Sequence, residues 1–129
     1  MRILSVFGTR PEAIKLLPLV THLRSRWADA VEVQIVSTGQ HRELLEQVLD
    51  VFQMQADYEL GLMRPDQTPT DLAARALESF GPLVHQIQPH AVVVQGDTTT
   101  AFACGLASYL SGHPTLVAHV EAGLRTADR

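Results

Sequence analysis

Asp97 and Glu121 each stand where an apolar run breaks into a glycine-marked turn. The first run, Ala91-Val92-Val93-Val94-Gln95, breaks at Gly96-Asp97-Thr98. The second, Thr115 to Val120, breaks at Glu121-Ala122-Gly123. Both runs have the apolar character of β-strands, and the helical stretch between them makes them parallel neighbours in one sheet. Parallel strands share a direction, so their carboxyl ends emerge on the edge where open α/β sheets bind ligands. Two acids meeting there point to acid–base chemistry.

Two further exits carry polar chemistry, Gly8-Thr9-Arg10 and Gly39-Gln40-His41. Pro11 suits the first helical position after Thr9 or Arg10, and Glu12 complements the positive end of that helix. The helix starts after Arg10 and after Asp97 should offer free N–H groups to an anion such as phosphate, with the Arg10 guanidinium beside them. The chain has no G-x-G-x-x-G after its first strand and no G-x-x-x-x-G-K-[ST], so neither a dinucleotide fingerprint nor a P-loop is present. No histidine, cysteine and acid spacing makes a metal site.

Each of these residues also has a plainer reading. Arg10 is a possible surface ion-pair partner, Asp97 a helix cap and His41 a loop histidine. His119, inside an apolar strand, reads as a satisfied core histidine. Glu121 resists this treatment, because it ends a buried strand and starts no helix, and a buried acid without a partner is costly.

The elements that must place these residues follow from the periodicity. Ile3 to Phe7 is strand one, nearly all apolar as a strand covered on both faces should be. A helix to about Arg26 follows, with Ala13, Leu17, Val20 and Leu23 inward and Pro18 as an internal break. Val31 to Ser37 is strand two, and a helix from Arg42 to Phe52 has Leu44, Leu45, Val48 and Leu49 as its apolar face. Tyr58-Glu59-Leu60 is a short strand or extended loop, and Met63 to Pro69 is loop. The pattern from Thr70 to Gln88 is helical, but Gly81-Pro82 predicts two helices or one bent helix. Thr98 caps a helix to Leu110 whose many small residues imply close packing on the sheet. The order predicts an α/β domain with a doubly wound, mostly parallel sheet in three layers.

The bulk properties agree. The 129 residues fit one domain, with 46% apolar and 19% charged residues. A net charge of -4 argues against a nucleic-acid surface. No stretch approaches the ~20 apolar residues of a membrane helix, and a cytoplasmic protein is the default. Cys104, in a small apolar stretch, reads as a buried structural thiol.

Four segments, Phe7 to Lys15, Gln40 to Glu43, Gly96 to Thr100 and His119 to Thr126, together resemble the non-hydrolysing UDP-N-acetylglucosamine 2-epimerases, in register along the whole chain. The resemblance implies the Rossmann-like amino-terminal half of a glycosyltransferase-B arrangement over residues 1–129, with a nucleotide-binding carboxyl-terminal domain outside it. It implies interconversion of UDP-N-acetylglucosamine and UDP-N-acetylmannosamine, by loss of UDP and the C2 proton and re-addition on the opposite face, for cell-surface polysaccharide biosynthesis. Carried over by position, Asp97 and Glu121 are two of three essential acids, with the base unassigned between them, and Arg10 lies beside the UDP phosphates. Gln40 and His41 would help bind a second, activating UDP-N-acetylglucosamine. The complete protein is expected to be a homodimer with no cofactor, and residues 1–129 alone, lacking the third acid and the domain that holds the nucleotide, are expected to have no useful epimerase activity. The competing classes are a non-catalytic nucleotide-sugar-binding or regulatory domain and half of a glycosyltransferase-B transferase.

Overall fold

A computed structural model describes residues 1–39 and 42–123, with the Arg42 side chain outside the description. The elements are β1 (Arg2–Phe7), α1 (Arg10–Arg26), β2 (Glu32–Ser37), α2 (Arg42–Val51), β3 (Tyr58–Glu59), α3 (Pro69–Ile87), β4 (Ala91–Gln95), α4 (Thr99–Leu110) and β5 (Leu116–Val120). All strand pairs are parallel, in the spatial order β3-β2-β1-β4-β5. The chain winds outward from β1 to β3, then crosses back to β4 and winds the other way, which is the doubly wound Rossmann-like topology.

Side-chain alternation on β1 divides the core. Ile3 and Phe7 pack with Leu16, Leu17 and Val20 of α1 and Leu45 and Val48 of α2. Leu4 and Val6 pack on the opposite face with Phe80 and Val84 of α3 and Cys104 of α4. The two clusters make the three layers that the sequence predicts, because a central parallel strand must be apolar on both sides. Cys104 is fully buried, and that burial, with the charge of Glu12 adding to it, pushes its thiol up to about 12. It is the structural cysteine expected.

One open expectation narrows and two others change. α3 is one helix through Gly81 and Pro82. An interior proline costs ~3 kcal/mol, but Phe80, Val84 and Ile87 are buried on either side of it, so one apolar stripe holds both halves. Leu44 of α2 is exposed, and Leu45, Val48 and Leu49 carry the inward face. β5 is a sheet edge with both faces open: Leu116 is 74% exposed and Val117 is exposed too, so its apolar run is not a covered strand among the described residues.

Candidate active site

The reversal of winding lies between β1 and β4. Their ladder ends at Ser5 and Val93, two residues before each strand does. Beyond that point the two exits splay, and a cleft of about 370 Å³ opens at the carboxyl edge. This is the crevice position that ligands occupy in open α/β sheets. Asp97 and Glu121 both line it, with Glu12 and Lys15 on the α1 side.

Gly96, at φ +72, makes the turn that presents Asp97. Its N–H donates to the Val120 carbonyl at 3.0 Å, and its own carbonyl accepts from His119 Nε2 at 2.6 Å. The β4 and β5 exits are thus stitched together, which keeps the two acids in one cleft. His119 is satisfied, as the sequence suggested, but it is exposed on the edge strand rather than in the core. Asp97 is exposed and has no hydrogen-bond partner among the described residues. It is not the cap of α4; Thr98 is, its Oγ1 accepting the Ala101 N–H at 3.0 Å.

Glu121 is a non-glycine residue at φ +60, in the left-handed region that few side chains adopt and that Gln53, Asp66 and Gln88 also occupy in this chain. Its carboxylate is half-exposed rather than buried. The Lys15 ammonium donates to Oε2 at 2.5 Å, and the Gln95 amide, itself buried, donates to the same oxygen. The Lys15 hydrogen bond holds the Glu121 carboxyl below the usual carboxylate range; partial desolvation opposes this, and the Lys15 charge and Gln95 reinforce it. A carboxylate so held adds stability above its unfolded value and loses it as pH falls through the folded one. The Glu121 pair therefore contributes nothing in acid. Replacing Lys15 by methionine should move the Glu121 titration upward, as read from the pH dependence of its carboxyl carbon resonance. An unmoved midpoint would show that Lys15 is not the cause.

Just before α1, the backbone is already engaged by a side chain of the helix itself. Glu12 is 1% exposed, and its Oε2 accepts from the Gly8 and Thr9 N–H groups at 3.0 and 2.7 Å and from Thr9 Oγ1 at 2.8 Å. An anion in this cleft also meets a cationic side chain. Lys15 is on the wall. Arg10, the first residue of α1, is exposed beside the cleft and is not among the residues that line it. Gln40 and His41 lie outside the described residues.

Sequence reasoning missed Lys15, Glu12 and Gln95 as members of the site. The signal for the first two was the spacing Pro11, Glu12, Lys15, which puts one side of the first turn of α1 toward the next strand exits. Gln95 gave no signal beyond ending an apolar run. Among the described residues no group of three or more His, Cys, Asp or Glu is placed to hold a metal ion, and no helix is long and apolar enough to cross a membrane.

A family model described as UDP-N-acetylglucosamine 2-epimerase matches residues 24–129. A UDP-N-acetylglucosamine 2-epimerase of Yersinia pestis is 48% identical over 128 residues, covering 99% of this chain and 33% of the relative. Among solved structures, the epimerase from Neisseria meningitidis bound to UDP-GlcNAc superposes with a TM-score of 0.87 at 41% identity, over 99% of this chain and 34% of that one. Another UDP-N-acetylglucosamine 2-epimerase crystal structure superposes at 0.90 with 43% identity, over 100% and 35%. The chain spans about a third of the length of the curated relatives it matches.

Proposed function

The chain belongs to the UDP-N-acetylglucosamine 2-epimerase family, and from that premise we propose that it forms the amino-terminal, Rossmann-like part of an enzyme interconverting UDP-N-acetylglucosamine and UDP-N-acetylmannosamine. The observation that carries this reading is the placement of Asp97 and Glu121 in one cleft at the winding reversal.

The chemistry needs what this cleft offers. A sugar C2–H is weakly acidic and becomes removable as C1 gains positive character on losing UDP. The intermediate is a 2-acetamidoglucal, and re-addition of UDP and a proton on the opposite face of C2 inverts that carbon. Two carboxylates can move the protons and stabilise positive charge at C1. Asp97 has no competing partner among the described residues, which leaves its carboxyl group to the sugar. Glu121 is held charged by Lys15, whose ammonium also supplies the positive charge that a departing diphosphate requires. As UDP draws on Lys15, the hold on Glu121 weakens and its proton affinity rises. Arg10, exposed next to the cleft, would reach the phosphates from outside its wall.

The same reading gives the complete enzyme a glycosyltransferase-B arrangement, with a carboxyl-terminal domain holding the nucleotide and closing the cleft against water. It gives a homodimer and an activating nucleotide-sugar site at Gln40 and His41. Residues 1–129 alone are then inactive.

The test is to supply the full-length protein with UDP-N-acetylglucosamine and separate the products. UDP-N-acetylmannosamine, approaching the same equilibrium from either sugar, is expected. Transfer of the sugar to an acceptor, or binding without conversion, would replace this reading with the transferase or the binding domain.

A further inference from the structure

We propose that Glu12 is a positioning residue that sets the Asp97 turn through Thr98, an inference that rests on the epimerase reading of the cleft for its kinetic consequence but not for its geometry. Glu12 is a fully buried carboxylate that the proposed chemistry does not use. One oxygen, Oε2, is committed to the β1 exit at Gly8 and Thr9. The other, Oε1, accepts from Thr98 Oγ1 at 2.6 Å, across 86 residues of chain. Thr98 directly follows Asp97, and the same hydroxyl oxygen caps α4 through the Ala101 N–H.

The need for such a link comes from the sheet. Backbone pairing between β1 and β4 stops at Ser5 and Val93, so no ladder bond fixes one exit against the other. On its far side the β4 exit is tied to β5 through Gly96. On its near side the Glu12–Thr98 bond ties it to the start of α1, which also carries Lys15. With that bond made, the distance from the Asp97 turn to the Lys15 turn is fixed. Without it, the Asp97 turn keeps its tie to β5 through Gly96 and its join to α4, whose Thr100 bonds Thr38 at the β2 exit, but has no bond to the start of α1. A carboxylate is the side chain that suits this place. It accepts four hydrogen bonds at once and complements the positive end of α1.

Four variants of the full-length protein test this. Thr98→Val and Glu12→Leu remove the bond, while Thr98→Ser and Glu12→Gln preserve a polar bridge, the amide giving its oxygen to Gly8 and Thr9 and its NH₂ to the Thr98 oxygen. Because a misplacement of ~1 Å costs on the order of 100-fold in rate, Thr98→Val and Glu12→Leu should each lower kcat by roughly 30- to 100-fold with KM within about threefold of the parent. Thr98→Ser and Glu12→Gln should stay close to the parent, and Thr98→Val combined with Glu12→Leu should lose clearly less than the product of the two single losses, since the bond they share is broken only once. Where Glu12→Leu does not fold, Thr98→Val and its serine rescue carry the test. Parental kcat in folded Thr98→Val, or equal losses in the serine and valine variants, would overturn the proposal. Crystal structures of the parent and Thr98→Val give a readout free of turnover. The 96–98 turn should shift relative to residues 8–12, and superposition of the two turns within coordinate error would overturn the positioning role. A parent that fails to epimerise would count against the function while leaving the crystallographic arm decisive for Glu12.

Discussion

Asp97→Asn and Glu121→Gln, each made singly in the full-length protein, are expected to lower kcat by about 10²- to 10⁴-fold, the usual contribution of a positioned acid or base. That is roughly 3 to 5 kcal/mol of transition-state stabilisation at about 1.4 kcal/mol per tenfold. Both changes keep the side-chain shape, and neither residue is in the core. Thermal unfolding midpoints should therefore stay near that of the parent. Asp97 has no partner to lose among the described residues, so its amide variant is the cleaner of the two. Glu121→Gln also strips Lys15 and Gln95 of the oxygen they share as a charged acceptor. Its KM should fall somewhat, because Lys15 then faces the substrate phosphates without its counter-charge. Variants that keep parental kcat would remove these acids from the chemistry.

Phe7→Ala is expected to cost about 3 to 5 kcal/mol of stability, the range for removing a buried aromatic ring from a well-packed site. Phe7 is fully buried at the last position of β1, packed with α1 and α2 residues. Domains of this size are stable by only about 5 to 15 kcal/mol, so the loss consumes a large share. It falls directly beneath the Gly8–Glu12 turn, so the site loosens along with the core. Urea unfolding should show a lower midpoint with an unchanged slope. A loss under about 1 kcal/mol, far below the cost of a cavity this size, would contradict the packing of that face.

The sequence reveals the parts of this site that are local. An apolar run ending in Gly96-Asp97 or Glu121-Ala122-Gly123 shows a strand exit, because only the chain's own neighbours decide it. Thr98 as a cap and Pro11 at the head of α1 are local in the same way. The features left open or misread depend on distant partners. Gly81-Pro82 leaves two helices or one bent helix open, and the burial of Phe80 and Val84 on the sheet decides for one helix. β5 is apolar in composition, yet composition does not say whether a neighbour covers the strand, and in the described residues none does. Glu12 passes for an ordinary helix-start acid because its bond to Thr98 spans 86 residues, and Lys15 meets Glu121 across 106. Neither pairing has a periodicity to betray it. The family resemblance placed the two acids by position, and the fold supplies the physical reason they share a cleft.

The proposed epimerisation requires proton exchange at C2 of the sugar inside this cleft. Running the full-length protein in D₂O with UDP-N-acetylglucosamine and reading the C2 position by proton NMR tests it directly. Loss of the C2–H signal in both the product and the recovered substrate is the predicted result, with the exchange abolished in Asp97→Asn or Glu121→Gln. Turnover that retains the original C2 hydrogen, or exchange that survives loss of both carboxylates, would contradict it.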